Sequence, residues 1–442
     1  MNQDLTKGPV MKSMLRFAVP MILGNLLQQC YNIADTLIVG RFLGPNALAA
    51  VGSSFTLMTF ITSILLGLCM GSGAVFSIRF GEKDETGLKE GVFASFVLIS
   101  GLTLFINVIA FGFLEQIQVF LRVPAQVWTS MREYLVVIFS GIIATFLYNY
   151  FASFLRAIGN SVVPLIFLAC ASVLNIALDL WFVLRLGWGV SGAAQATVIS
   201  QYVSGIGIAV YALKRYPQIR FQRGQCRIRF SCIKEIAGFS ILTCIQQSVM
   251  NLGILMVQGL VNSFGPTVMA AFAAAVKIDA FAYMPVQDFG NAFSTFIAQN
   301  FGANKEDRIQ QVLKGAVILA LLFCVVISIT VWLFAEPLMK LFVEAGEVEI
   351  IGEGVRYLHI EGAFYCGIGL LFLLYGLYRA LGKPGMSVVL TVISLGTRVA
   401  LSYVLSAIPV FGVVGIWWSI PIGWFLADMI GVGCYLVKKK KP

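Results

Sequence analysis

The stretch Asn25-Leu-Leu-Gln28-Gln-Cys-Tyr-Asn32-Ile-Ala-Asp35 lies inside the first long apolar segment of the chain. Its polar side chains Asn25, Gln28, Asn32 and Asp35 recur at i, i+3, i+7 and i+10, the spacing of one helix face. The sequence therefore predicts an apolar helix with one polar stripe. If this helix crosses a bilayer, Asp35 must face protein or water and is a candidate functional residue. The alternative is a capping Asp at a helix end, because Gly40 follows shortly after it.

The composition is that of a membrane protein. The 442 residues are 59% hydrophobic and 12% charged, whereas globular proteins are about 25% charged. Apolar runs of about 20 residues, long enough to cross a bilayer as helices, recur to the end of the chain. They lack the polar–apolar alternation of membrane β-barrel strands. We therefore predict an all-α polytopic membrane protein whose first apolar run is retained as an anchor rather than cleaved as a leader.

Twelve apolar segments are predicted to span the membrane. Turn residues such as Gly and Pro separate them. The predicted spans are residues 13–39, 47–77, 91–114, 130–154, 162–184, 190–213, 235–262, 267–298, 309–334, 350–378, 385–408 and 412–437.

The distribution of Lys and Arg predicts the orientation. With the N-terminus in the cytoplasm, 23 of these residues flank spans on the cytoplasmic side and six on the other side. Because positive residues concentrate in cytoplasmic loops, both termini and the basic segment 214–234 are predicted to be cytoplasmic, and the protein is placed in the inner (cytoplasmic) membrane. The net charge of +10 is then an orientation signal, with contact of Lys438–Lys441 to anionic lipid, and argues against nucleic-acid binding.

Short motifs recur along the chain at a nearly constant interval. Four short motifs of the first half recur in the second half, in the same order and about half the chain further on. The matched pairs are Gly44-Pro45 with Gly265-Pro266, Phe80-Gly81 with Phe301-Gly302, Arg156-Ala-Ile-Gly159 with Arg379-Ala-Leu-Gly382, and Gly189-Val-Ser-Gly192 with Gly412-Val-Val-Gly415. The chain is therefore predicted to contain two copies of a six-span unit.

This repeat predicts the domain organisation. Residues 1–213 form an N-lobe with spans 1–6, residues 214–234 a basic cytoplasmic linker, and residues 235–442 a C-lobe with spans 7–12. Because six is an even number, the repeat is parallel, with a pseudo-twofold axis along the membrane normal. Two such lobes around a cavity that opens alternately to each side are typical of secondary transporters.

The two copies differ at their acidic residues. Asp35 corresponds to Met256, although span 7 keeps a polar stripe with Gln247 and Asn251. The other exceptions are Asn175 and Asp179 in span 5, which correspond to Arg398 and Ser402, and Thr197 in span 6, which corresponds to Ile420. The N-lobe is therefore predicted to contain the ion site.

The predicted depths bring these N-lobe residues together. Asp35, Asp179 and Thr197 each lie within about 8 to 12 Å of the outer end of their helix, at 1.5 Å per residue. Carboxylate, amide and hydroxyl oxygens suit a small hard cation such as Na⁺. Two desolvated carboxylates held close together equally favour the binding of a proton to one of them. The residues leave Na⁺ and H⁺ as open alternatives.

Other polar residues inside the spans have two interpretations. Lys277, Asp279, Asp288, Glu361 and Arg398 either line the C-lobe side of the cavity or neutralise one another's charges. Two prolines inside spans, Pro20 and Pro285, predict kinks. Gly67-Leu-Cys-Met-Gly71 predicts a close helix contact.

The sequence lacks the motifs of several other functional classes. The chain has no Gly-x-x-x-x-Gly-Lys-[Ser/Thr] sequence, and therefore no predicted ATP site. A single His excludes a His-Glu-x-x-His zinc site, and the nine cysteines are scattered without a Cys-x-x-Cys pair. No cofactor other than a coupling ion is expected.

At the level of motifs, the chain resembles the MATE (multidrug and toxic compound extrusion) family over nearly its whole length. The resemblance rests on Asn32-Ile-Ala-Asp35-Thr, Asn175-Ile-Ala-Leu-Asp179, Gly189-Val-Ser-Gly192-Ala-Ala-Gln-Ala-Thr197, the twin Arg-Ala-x-Gly motifs and the twin Phe-Gly turns. It implies a cation-coupled transporter that exports organic, often cationic, compounds in exchange for H⁺ or Na⁺.

The resemblance also implies roles for individual residues. Asp35, Asn175, Asp179 and Thr197 match the family's cation site, with Ala193 contributing a backbone carbonyl. Pro20 matches the proline at which span 1 bends. The acid that a NorM-like branch carries in span 10 is replaced here by Ile368, which argues against a C-lobe cation site of that kind.

The favoured hypothesis is an antiporter in which ion binding at Asp35 and Asp179 alternates with drug binding in the central cavity. The predicted cavity-lining residues are Asn25, Gln28, Asn32, Gln247, Asn251 and Arg398, and Pro20 is the predicted hinge. A flippase of lipid-linked oligosaccharide is the first alternative, and a membrane-embedded enzyme or scaffold is the second. Neither substrate identity nor oligomeric state is encoded in a recognisable motif.

Overall fold

The computed structural model describes residues 4–120, 125–219, 229–344 and 346–439, and within these ranges sixteen α-helices and no strands are found. The first half contains α1 (Val10–Leu43), α2 (Pro45–Glu82), α3 (Glu85–Gly112), α4 (Leu114–Phe120), α5 (Ala125–Ser140), α6 (Ile142–Ala157), α7 (Val162–Asp179) and α8 (Gly189–Arg215). The second half contains α9 (Phe230–Asn262), α10 (Pro266–Gly302), α11 (Glu306–Leu333), α12 (Ala335–Met339), α13 (Val348–Gly362), α14 (Tyr365–Ala380), α15 (Pro384–Ser406) and α16 (Gly412–Lys439). A π-helical segment, Leu180–Arg185, continues α7, and Pro217–Ile219 forms a 3₁₀ turn.

The described helices supply the predicted spans. Ten of them are long and apolar enough to cross a membrane singly. Two further spans are bent pairs, α5 with α6 at 42° and α13 with α14 at 52°. With each pair counted once, the described residues provide twelve spans, which confirms the prediction of an all-α polytopic membrane protein.

The sequence predicted both bent spans as membrane-crossing segments and did not predict their breaks. Gly141 separates α5 from α6, and Ala363 and Phe364 separate α13 from α14. The repeat that pairs Gly159 with Gly382 also pairs Gly141 with Phe364, so the breaks fall at equivalent places in the two halves. A broken helix at membrane depth persists where its backbone is buried in protein or lines a cavity.

The repeated motifs form the same turns in both halves. Glycine tolerates a positive φ, which other residues rarely adopt. Positive φ angles occur at three matched pairs: Gly44 and Gly265, Gly159 and Gly382, and Gly189 and Gly412. In the first pair, φ is 86° and 99°, and a proline follows at the start of the next helix. Glycine is therefore needed at these positions for both halves to form the same turns.

The described chain divides into two compact units. The first consists mainly of Val19–Cys244, and the second of Leu5–Ala18 with Ile245–Pro442. The change of unit within α1 falls between Ala18 and Val19, just before Pro20. The predicted division at 213 and 235 concerns the sequence repeat and stays a prediction, and residues 220–228 of the predicted linker lie outside the described residues.

The beginning of α9 packs tightly on α2 within the first unit. A Cβ placed on Gly67 would lie 2.6 Å from the Cys244 Cα, and one on Gly71 would lie 2.5 Å from the Ser240 Cα. These distances are too short for any side chain, so the two backbones touch only because both positions are glycine. The structure thereby confirms the predicted close helix contact.

The segment Leu5–Gly8, which we call the N-terminal strap, is fastened to the adjoining ends of α10 and α11 by side chains of the second unit. Arg308 donates hydrogen bonds to the carbonyl oxygens of Gly8 (2.7 Å) and Leu5 (3.0 Å). Lys305 Nζ donates to the Thr6 carbonyl at 2.7 Å, and Asn300 Nδ2 donates to the Leu5 carbonyl at 3.2 Å. Leu5 is completely buried. These side chains thus replace the backbone partners that an irregular segment lacks.

We expect Arg308→Ala to release this strap. The substitution removes charge-assisted hydrogen bonds to several strap carbonyls at once. Hydrogen–deuterium exchange of the reconstituted protein should then show at least about tenfold faster exchange in Leu5–Gly8, because a loss of about 1.4 kcal/mol of local stability has that effect. Arg356→Ala, which removes an exposed α13 side chain paired only at 3.6 Å with Glu353, is the control. Equal strap exchange in both variants would contradict this account.

Candidate ion-binding site

Asp35 lies in the interior of a helix. α1 runs without interruption from Val10 to Leu43, and Gly40 does not end it. Asp35 is therefore about two turns from the end of the helix, and the alternative interpretation of this residue as a helix cap is wrong. Its carboxyl group is partly buried, and the Oδ1 atom is enclosed without a hydrogen-bond partner.

Asp179 occupies a change of helix type. It is the last residue of α7, and the π-helical segment Leu180–Arg185 begins directly after it. The Asp179 side chain has no solvent exposure, and Asn175, one turn earlier, is 2% exposed. π-Helical turns inside α-helices are frequent at functional sites. Asp179 therefore lies where the α-helix changes to a π-helix, at the predicted ion site.

Apolar packing holds α1 against this region. Ile38 and Val39 of α1 belong to one buried cluster with Val183 of the π-helical segment and Ala193 and Ala194 of α8. Ile38 and Val39 follow Asp35 by one turn of α1. The same contacts that bury these aliphatic side chains therefore bring the Asp35 carboxyl group toward Asp179.

The carboxyl groups of Asp35 and Asp179 lie at hydrogen-bonding distance of each other. Both Asp179 oxygens are buried without a donor, as is Asp35 Oδ1. No Lys, Arg or His in the described ranges forms an ion pair with either residue. Ionised carboxylates only accept hydrogen bonds, so two that face each other are satisfied only when a proton or a cation joins them.

Two further predicted residues lie beside one another. Asn175 Nδ2 donates to Thr197 Oγ1 across α7 and α8, at 3.3 Å. Asn175 Oδ1 is buried without a partner, and so remains available as an oxygen ligand. Ala193 is 1% exposed and lies one turn before Thr197 on α8. Asp35, Asn175, Asp179 and Thr197 are thus gathered in the first unit from three helices.

Sequence reasoning missed the tyrosines of this site. Tyr134 of α5 is 7% exposed and close to both carboxyl groups. Tyr31, one turn before Asp35 on α1, is also close to that carboxyl group, and its hydroxyl contacts the Gln28 side chain. The repeat contained a signal for Tyr134, because Tyr357 occupies the equivalent position in the second half. Phenol hydroxyl groups add polar atoms to the site without adding charge.

Five of the six predicted cavity-lining residues lie on α1 and α9. Asn25, Gln28 and Asn32 are all half-buried, and Asn32 Nδ2 donates to Gln29 Oε1 at 3.2 Å. In α9, Gln247 is buried, and Asn251 Nδ2 donates to the Gln247 carbonyl at 3.2 Å. Their predicted role as cavity lining stays a prediction.

Arg398 is placed differently from the other predicted lining residues. It is 9% exposed in α15 and lies among buried acidic residues of the second unit. Pro20 lies inside α1, and its predicted role as a hinge stays a prediction.

Comparison with known proteins identifies the family. The MatE family model matches residues 20–181 and 240–404 of this chain. The chain belongs to the MATE family. MATE proteins are membrane transporters, so this multi-pass membrane protein is a transporter rather than an enzyme.

Individual MATE relatives match along the whole chain. The chain is 31% identical to the probable multidrug resistance protein YpnP of Bacillus subtilis over 391 residues, which are 88% of this chain and 87% of that protein. It is 29% identical to the probable multidrug resistance protein YoeA of Bacillus subtilis, over 100% of this chain and 96% of that protein. A solved structure described as the outward-facing conformation of a multidrug resistance MATE family transporter of the MOP superfamily aligns with a TM-score of 0.93, over 100% and 99% of the two chains, at 23% identity. That last likeness concerns the fold.

Proposed function

We propose that the protein exports organic, often cationic, compounds from the cytoplasm in exchange for H⁺ or Na⁺. The observation that carries this proposal is the facing pair of carboxyl groups of Asp35, which is partly buried, and Asp179, which is completely buried. Neither has a cationic partner in the described part of the chain. Such a pair binds one proton or one small cation, which reduces its net charge from −2 to −1 and joins the two facing carboxyl groups. The names of the Bacillus subtilis relatives support drugs as the exported compounds.

The coupling site contains Asp35, Asn175, Asp179 and Thr197, with the Ala193 carbonyl as a further oxygen ligand. Binding of the ion at the outer side changes the net charge next to α1, and a bend at Pro20 transmits the change. An ion shifts the equilibrium between two conformations only by its different affinity for them. The drug-binding cavity is lined by polar residues of both halves: Asn25, Gln28, Asn32, Gln247, Asn251 and Arg398.

Alternating access follows from the repeat. The N-lobe (1–213) and the C-lobe (235–442) are the two moving bodies, joined by the cytoplasmic linker 214–234. Both termini face the cytoplasm of a cell whose inner (cytoplasmic) membrane contains the protein, as the distribution of Lys and Arg predicts. The site in the N-lobe then opens to the outer side for ion entry and to the cytoplasm for ion release.

Reconstituted protein tests this function directly. An imposed gradient of either H⁺ or Na⁺ should drive uptake of a fluorescent organic cation into proteoliposomes, and dissipating that gradient should stop it.

We expect Thr197→Val, which removes one hydroxyl ligand and keeps the shape, to raise the half-saturating ion concentration roughly tenfold, because one lost hydrogen bond to a charged group costs about 1.5 kcal/mol or more. Val203→Thr on the exposed face of α8 is the control. Uptake that proceeds equally without any ion gradient would contradict antiport.

A further inference from the structure

A second group of ionisable side chains is buried in the second unit. Asp279 of α10, Glu361 of α13 and Arg398 of α15 are 4%, 2% and 9% exposed. The carboxyl groups of Asp279 and Glu361 lie at hydrogen-bonding distance of each other, and Arg398 is close enough to both for electrostatic attraction. We call these three residues the C-lobe charge cluster.

Tyrosines complete the surroundings of the cluster. Tyr357 donates a hydrogen bond to Asp279 Oδ2 at 3.4 Å, and Tyr365 lies next to the same carboxyl group. Tyr283 is a further titratable group near the acids. Lys277, two positions before Asp279, is exposed.

The charges of the cluster do not balance. Arg398 compensates one carboxylate, so two ionised acids would leave a net charge of −1 in the interior of a membrane protein. A buried charge without compensation is costly there. Asp279 Oδ1 and Glu361 Oε2 are both buried without a hydrogen-bond partner, so each of these two oxygens lacks a donor. A proton on one of them supplies that donor and balances the charge.

The position of Glu361 at the end of its helix also favours a protonated acid. Glu361 lies in the last turn of α13, next to the 52° break between α13 and α14. The C-terminal end of a helix carries a partial negative charge and so disfavours an added anion. Broken helices in membrane proteins place unpaired backbone groups at binding sites.

The position in the repeat supports a site rather than a simple ion pair. The alignment of the two halves that pairs Gly159 with Gly382 also pairs Tyr134 with Tyr357 and Asn175 with Arg398. The C-lobe charge cluster therefore occupies the place in its repeat that the Asp35–Asp179 pair occupies in the other. Its acids come from different helices, α10 and α13 instead of α1 and α7. This explains why the sequence comparison, which tests only equivalent positions, found no acid there.

We propose that Asp279 and Glu361, with Arg398 near them, form a second proton-binding site that carries one shared proton and is separate from the Asp35–Asp179 pair. The proton binds to a carboxylate oxygen and gives a neutral carboxylic acid, with no other bond made or broken. The net charge of the cluster then changes from −1 to zero on protonation.

Infrared spectroscopy detects this proton without a transport measurement. The background protein carries Asp35→Asn, Asp179→Asn and Asp428→Asn, which silences the other buried acids whose oxygens lack a hydrogen-bond partner in the described ranges. At neutral pH, its spectrum in lipid should retain the C=O stretching band of about one protonated carboxyl group. Glu361→Gln and Asp279→Asn should each abolish that band. Glu349→Gln, which changes an exposed acid of α13, should leave it unchanged.

A further variant separates protonation from loss of structure. Arg398→Gln removes the compensating charge, so both acids should become protonated and the band should increase about twofold. Misfolding would not increase it. A band that persists in Glu361→Gln and Asp279→Asn, or that does not grow in Arg398→Gln, would overturn the proposal. Because the readout is independent of ion gradients, its failure would leave the proposed antiport at Asp35 and Asp179 standing.

Discussion

Asp35→Asn should abolish coupled export. The substitution keeps the shape of the side chain but replaces one of two facing carboxyl groups by an amide, whose NH₂ group satisfies Asp179 permanently. The driving ion then has no differential affinity for the two conformations and cannot shift them. We expect gradient-driven efflux of a fluorescent organic cation to fall at least about 100-fold in proteoliposomes, which corresponds to a loss of about 2.7 kcal/mol of coupling free energy.

The repeat provides a matched control for this variant. Met256→Leu changes the equivalent position of span 7, where the chain has no acid, and is a volume-conserving substitution of an exposed side chain. It should transport at the parental rate. Asp179→Asn should reproduce the defect of Asp35→Asn. Efflux by Asp35→Asn at the parental rate and equal expression would refute the assignment of the coupling site.

Gly71→Ala should have the largest effect on stability. Its new Cβ would lie 2.5 Å from the Ser240 Cα and collide with the Phe239 carbonyl oxygen, both of them backbone atoms of α9. Backbone cannot move aside as a side-chain tip can, so the two helices must separate. Overpacking costs about 1–3 kcal/mol where side chains can adjust, and we expect the upper end of that range or more.

Thermal unfolding in detergent measures the effect. We expect the apparent Tm of Gly71→Ala to fall by several degrees, since about 1 kcal/mol corresponds to about 2–4 °C in a domain of this size. Gly101→Ala is the control, because Gly101 is exposed in α3 with nothing within 4 Å of an added Cβ. This control should be neutral or slightly stabilising, as Ala favours helix over Gly by about 1 kcal/mol. An equal Tm for the two variants would show that α2 and α9 are not in backbone contact.

The spans were predictable because each is a long apolar run between turn residues. Their breaks were not. Gly141 is one of many glycines in spans, and Ala363 and Phe364 are residues that continue most helices. α10 and α11 pack on both α13 and α14, and such contacts between distant parts of the chain are not visible in the local sequence.

The grouping of the candidate ion-site residues was predictable for a different reason. The repeat acted as an internal alignment, and Asp35, Asn175 and Asp179 stood out as acids or amides without an equivalent in the other half. Tyr134 was missed because its equivalent position in the second half is also a tyrosine, Tyr357, and only positions that differ between the two halves were singled out. The π-helical turn after Asp179 was missed because the largely apolar segment Leu180–Arg185 contains no Gly or Pro that would mark a change of helix type.

The division of α1 and α9 between units has a consequence for biosynthesis. The first unit is complete only after Cys244 has left the ribosome, although its own six spans end at Arg215. The strap and the start of α1, through Ala18, can reach their final contacts only after α10 and α11 have been synthesised. The second unit therefore combines one of the oldest segments of the nascent chain with its youngest helices. Two fragments separated in the loop between α8 and α9 would each lack a piece that only the other carries.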